Sequence, residues 1–241
     1  MIPVESVFPP KWRILSGSGL KLIAVITMLI DHVAAFILIY NPVPLFTLFG
    51  TEITLYWLMR RVGRLAFPIY CFLLVEGFRH TRDRRAYALN LCVFALLSEI
   101  PWNLLLGNGL FYRTQNVFFT LLLGLMGMWT VEQFQRDLKR ETPLLLLLLA
   151  AAFFLRADYG IQGFGLILIL YLLRERRDWQ SLAGCAMLSS SPAAMLAFIP
   201  INLYNGKRGF VRGPVWKYAF YAFYPLHMLA LYLIRTFCIT K

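Results

Sequence analysis

Charge is scarce in this chain, and acids are scarcer than bases. Of 241 residues only 15% are Asp, Glu, Lys or Arg, with 12 acids against 24 bases, while 59% are apolar. Soluble domains carry nearer a quarter charged residues, so a soluble globular class is excluded. Gly/Ser-rich linkers, low-complexity tails and internal repeats are also missing, which leaves one unit rather than several. The four cysteines, Cys71, Cys92, Cys185 and Cys238, fall in apolar runs without metal-ligand spacing. Neither a disulfide framework nor a metal site is expected of them. A cleavable signal peptide is not expected either, because the first apolar run carries Asp-His and no small-residue cleavage pattern follows it.

What remains is a succession of long apolar runs with short polar breaks. A bilayer is crossed by about 20 mostly apolar residues. Runs at 20–40, 62–78, 87–106, 116–134, 143–156, 159–173, 179–200 and 216–237 predict an all-α, polytopic transmembrane bundle of about eight spans. The expected organisation is a cytoplasmic segment over 1–19 and one membrane domain over 20–237. The stretch 41–61 is apolar and aromatic but broken by Pro42, Pro44, Gly50 and Glu52, which suits an interfacial or re-entrant piece.

The net charge of +12 lies mostly in short loops at the ends of these runs. There it reports orientation and lipid contact rather than nucleic-acid binding, for which no module signature is present. With the N-terminus in the cytoplasm, 15 Lys and Arg fall inside and 9 outside. This predicts both termini in the cytoplasm, with Lys207, Arg208, Arg212 and Lys217 on the outer side.

The ionisable residues inside the runs carry the functional signal, since a charge at such depth costs several kcal/mol and needs compensation. Asp31 and His32 lie in the first run. Lys21 precedes His32 by eleven residues, so the two share a helix face about 16 Å apart along the axis. That geometry suits an extended ligand with an anionic head at the rim and a reactive tip deeper down, as in an acyl-coenzyme A thioester. Asp31 cannot face its neighbour His32 on a helix, so Arg64 or His227 is its expected partner. Tyr224 and His227, three apart around Pro225, share a face of the last run. Glu76 and His80 stand at i,i+4 beside Arg79, where phosphates could be received. Asn116 is placed to cap a helix, and Asp158-Tyr159 sits at a turn where a substrate amine could bind.

These residues carry a resemblance. Leu20-Lys21-Leu22-Ile23-Ala24 through Met28-Leu29-Ile30-Asp31-His32, Gly63-Arg64-Leu65-Ala66-Phe67-Pro68, Glu76-Gly77-Phe78-Arg79-His80-Thr81, Asn116-Val117-Phe118, Asp158-Tyr159-Gly160 and Tyr224-Pro225-Leu226-His227 resemble the TraX family of integral-membrane proteins over about 18–235. The family is associated with N-acetylation of conjugative pilin. The Lys21-x10-His32 spacing is also similar to the Arg/Lys-x10-His signature of transmembrane sugar acyltransferases. Lys is a point charge without the bidentate fork of Arg.

The resemblance implies a bacterial inner- or plasma-membrane acetyltransferase that uses acetyl-CoA as co-substrate and no metal. The acceptor would be an amine or hydroxyl of a peptide or glycan. His32, Asp31, His227, Tyr224 and Arg64 form the expected catalytic set; Lys21, Arg79, His80 and Glu76 would hold the coenzyme, and Asp158 and Tyr159 the substrate. Other readings are a proton-coupled transporter, which would bury similar residues, and a non-catalytic pilus or conjugation assembly factor.

Overall fold

A computed structural model describes residues 7–48, 50–107, 109–110, 112–135 and 137–239. The helix that opens the bundle, α1 (Gly17–Phe36), starts where Ser16 caps the Gly19 amide and continues as a 3-10 turn to Tyr40. Its starting point defines the near end of the bundle. Next comes a hairpin of β1 (Pro44–Leu48) and β2 (Thr51–Thr54), antiparallel and exposed over most of its length. The stretch 41–61 therefore holds this hairpin and the start of a helix, rather than a further crossing.

That helix is one broken rod. α2 (Leu55–Gly63) descends along α1, pauses at Arg64 and Leu65, and resumes as α3 (Ala66–His80). The expected run 62–78 is thus extended at its start and interrupted inside. Its lower half is the centre of the fold, with ten of the fifteen α3 residues buried. Such all-round burial matches an apolar helix enclosed by others. α4 (Arg84–Gly107) climbs back, and α5 (Val117–Phe134) descends from an Asn116 cap to the near end, where Arg84 pairs with Glu132 at 2.6 Å. α6 (Leu138–Phe154) rises on the periphery with only Glu141 and Ala152 buried. α7 (Gly160–Leu172) descends against α5, where a Cβ on Gly124 would collide with Ile167. Small residues permit this close helix approach in membranes.

The expected span over 179–200 is instead a helical hairpin that returns to its starting end. α8 (Arg177–Met187) rises only until Gln162 of α7 reaches the Met187 carbonyl at 2.7 Å. Ser189-Ser190-Ser191-Pro192 then stops the helix, because proline cannot continue it and serines favour caps and turns. α9 (Pro192–Met195) and α10 (Phe198–Asn202) come back down beside α8, with Asn202 bonded to Ser181 at 2.9 Å.

The loop after α10 is consequently at the near end, tied to the start of α1. The Gly17 amide donates to the Lys207 carbonyl, and Ser18 joins the Arg208 carbonyl and Val211 amide. α11 (Pro214–Ile234) then rises parallel to α1 and ends where Arg235 donates to the carbonyls of Leu104 and Leu105, at the far end of α4. One expectation is corrected: Lys207, Arg208, Arg212 and Lys217 belong to the end that carries Lys21. α1 begins at this near end and α11 finishes at the far end. The four transferred cations outweigh the loss of Arg235 from the near end, and the charge asymmetry becomes steeper than the sequence count. Among the described residues, four helical segments are long and apolar enough to cross a membrane: Gly17–Tyr40, Arg84–Gly107, Val117–Phe134 and Pro214–Ile239.

Candidate functional site

Three helices begin halfway through the bundle, and their starts meet. α3 opens at Ala66 after the break, α5 opens at Val117, and α7 opens after Asp158-Tyr159; the strands leading into α5 and α7 are bridged at Gln115 and Ala157. The three sequence blocks around Arg64, Asn116 and Asp158 are therefore one place in the fold. Asn116 is fully buried and held by Glu99 and the Ala95 carbonyl. Helix starts present unpaired amides and a positive dipole end, which favours the two carboxylates gathered here, Asp31 and Asp158.

Asp31 pairs with Arg60 of α2 at 2.5 Å. The expected partner was Arg64 or His227; the break after Gly63 turns Arg60 toward α1 instead. Arg64 still acts on both Asp31 and Asp158 through its charge. Gly63 makes the approach possible, since any Cβ there would overlap the Asp31 side chain. Asp158, in the turn between α6 and α7, is surrounded by protein although its carboxylate opens to a cavity. Tyr159 beside it stacks on Phe67, with rings 2° from parallel.

His32 and His227 meet across α1 and α11, with Nδ1 of His32 2.7 Å from Nε2 of His227. His227 Nδ1 is in turn 2.7 Å from the Phe223 carbonyl. A carbonyl only accepts, so the neutral His227 ring carries its proton on Nδ1 and its Nε2 is an acceptor. His32 must then donate from Nδ1, which leaves its Nε2 as an unprotonated nitrogen. Tyr224 is buried edge-on to both imidazoles, with centroids 6.1 and 5.5 Å away.

A cavity of about 740 Å³ connects this cluster to the near end, a size within the usual range of small-molecule sites. Asp31, His32, Asp158, Tyr159 and Tyr224 line its deep part, and Lys21, Arg208, Lys217 and His80 its mouth. Tyr70, Phe118 and Tyr221 are among the aromatics between. Lys21 and His32 thus face one hollow, as their spacing on the helix requires. His227 lies behind His32 and does not line the cavity.

The expected coenzyme residues divide. Glu76 and His80 touch the cavity, but Arg79 does not: it is bound to Glu76 and Glu175, each at 3.1 Å. Sequence reasoning missed Arg208 and Lys217 as mouth residues because it placed them at the other end of the bundle. It missed Arg60, the ion-pair partner of Asp31. Among the described residues no group of His, Cys, Asp and Glu could hold a metal ion.

A family model described as TraX protein matches residues 16–235. The chain is also 30% identical over 247 residues to the probable fimbrial assembly protein FimC, serogroup H1, of Dichelobacter nodosus, covering 90% of this chain and 94% of that one. No solved structure matches it significantly.

Proposed function

The chain belongs to the TraX family of membrane proteins, and from that premise we propose that it is an acetyltransferase. It moves an acetyl group from acetyl-CoA to an amine or hydroxyl acceptor, a peptide N-terminus being favoured and a sugar the other candidate. The observation that carries this reading is the single cavity running from Lys21, Arg208 and Lys217 to His32. The cationic mouth suits the coenzyme's pyrophosphate, the aromatic middle its pantetheine arm, and His32 the thioester. Basic residues concentrate at this end, which supports its lying on the cytoplasmic side of a bacterial inner or plasma membrane, where acetyl-CoA is available.

His32 Nε2 acts as the general base. It takes the proton of the acceptor as nitrogen or oxygen attacks the thioester carbon. The C–S bond then breaks, and the imidazolium returns its proton to the leaving thiolate. His227 is a positioning residue that holds the tautomer through its own bond to the Phe223 carbonyl. The Asp31–Arg60 pair and Asp158 set the charge around the deep end, where an acceptor amine would enter; Tyr224 and Tyr159 shape the wall. Purified protein incubated with labelled acetyl-CoA and candidate acceptors tests the reading. Acyl transfer lost in His32→Ala supports it; no transfer to any acceptor, with no CoA binding, defeats it.

The name of the Dichelobacter relative, a probable fimbrial assembly protein, favours a second reading, a non-catalytic factor in fimbrial or pilus assembly. The two separate in cells: an assembly factor tolerates His32→Ala and His227→Ala, and the enzyme does not.

A further inference from the structure

Base catalysis by His32 deals with the acceptor's proton. It leaves unanswered the negative charge that gathers on the thioester oxygen as the acceptor adds to the carbon. Such a charge is costly in a pocket walled by protein, and a donor already aimed at it is a large contribution to acyl transfer. The nearby cations are poorly placed for the task. Arg60 is engaged by Asp31, and Lys21 stands about 16 Å along the helix from His32.

Tyr224 offers a donor in the same deep part of the cavity. Its ring stands edge-on to His32, His227 and Phe118, at centroid distances of 6.1, 5.5 and 5.3 Å. Phe118 is itself held at the start of α5, where its amide donates to the Asn116 side chain at 3.0 Å. With neighbours on three sides and 4% of the residue exposed, the phenol has a fixed orientation. That orientation brings its hydroxyl to the Val117 backbone, with which it is hydrogen-bonded. Val117 is the first residue of α5, so its N–H has no partner inside the helix. An amide nitrogen only donates; the phenolic oxygen therefore accepts, and its own proton is directed elsewhere. Among the described residues that proton has no acceptor. A bond accepted from an amide strengthens the bond the same group donates, and Val117, Tyr224 and His32 all line the cavity.

We infer that Tyr224 is the oxyanion donor of this site, its O–H aimed at the carbonyl oxygen of the bound thioester. The assignment rests on the acetyl-CoA reading above. As the acceptor nitrogen or oxygen bonds to the carbonyl carbon, His32 Nε2 takes its proton and the C=O electron pair moves onto oxygen. Tyr224 donates a hydrogen bond to that oxygen and keeps its proton. The pair then returns to re-form C=O, the C–S bond breaks, and the thiolate receives the proton from His32.

The test uses the full chain in nanodiscs with an amine or hydroxyl acceptor that the unaltered chain acetylates; if it acetylates none, the acetyltransferase reading falls and this assignment with it. Tyr224→Phe removes one oxygen and keeps the ring. Its kcat is expected to fall about 100- to 1000-fold, with the KM for acetyl-CoA little changed because only a transition-state contact is lost. The infrared carbonyl band of bound acetyl-CoA, labelled there with carbon-13, should lie at lower frequency in the unaltered chain than in Tyr224→Phe. A kcat close to that of the unaltered chain, or an equal band beside a lowered kcat, overturns the assignment and leaves the acetyltransferase reading intact. If Tyr224→Phe does not fold, Val117→Pro decides. Proline suits the first position of a helix, and Asn116 before it already has the extended backbone that proline requires. This variant keeps the phenol and deletes only the amide behind it. Its kcat should fall about 2- to 10-fold, the worth of one hydrogen bond, and an unchanged kcat overturns the assignment.

Discussion

Replacing His227 probes the proposed chemistry without touching the cavity wall. His32 Nδ1 has the Nε2 of His227 as its acceptor at 2.7 Å, and His227 is oriented by its own bond to the Phe223 carbonyl. In His227→Ala the Nδ1–H of His32 loses that acceptor. Leaving a buried polar group unpaired costs about 1–3 kcal/mol, and the imidazole is then free to place its proton on Nε2, the wrong nitrogen for a base. If this penalty falls on the transition state, turnover drops by about 5- to 150-fold. Coenzyme binding at the mouth should change little. His227→Gln is the informative companion, because its carbonyl oxygen extends about as far along the side chain as Nε2 and accepts in its place. The assay is thiol release from acetyl-CoA with saturating acceptor, read as separate kcat and KM. Wild-type turnover in His227→Ala, or equal losses in the Ala and Gln variants, would refute the tautomer argument.

Other outcomes follow from the same geometry. Arg60→Ala strands the Asp31 carboxylate and should lower thermal stability by about 1–3 kcal/mol more than Arg61→Ala, measured by unfolding in detergent; equal effects would remove the ion pair from the account. Gly63→Val places a side chain where Asp31 already stands and should abolish folding or expression, whereas Gly19→Ala, whose Cβ meets only ordinary van der Waals contacts, should be far milder. The returning hairpin predicts that cysteines introduced at Arg85 and Arg212 are labelled from the same side of the membrane, with one at Arg113 labelled from the other; labelling of Arg212→Cys from the Arg113 side would restore a full crossing over 177–202.

Part of this protein is legible in residue order alone. Apolar runs with few charges dictate helices in a bilayer, because each backbone amide and carbonyl must be paired within its own segment. The helical period puts Lys21 and His32 on one face whatever surrounds them, and cap chemistry marks Asn116 as the start of α5. What the order of residues left open depends on how segments meet. An apolar stretch such as 177–202 has the same composition whether it crosses or turns back; only the packing of Gln162 on Met187 and Ser181 on Asn202 shows the return. That single reversal carries Arg208 and Lys217 to the cavity mouth and sends the end of α11 to the opposite face. The partner of Asp31 was equally undecided, because several arginines lie within reach along the chain and the break after Gly63 selects Arg60. Local periodicity fixes the azimuth of a side chain on its own helix, whereas the identity of its neighbour is a property of tertiary packing.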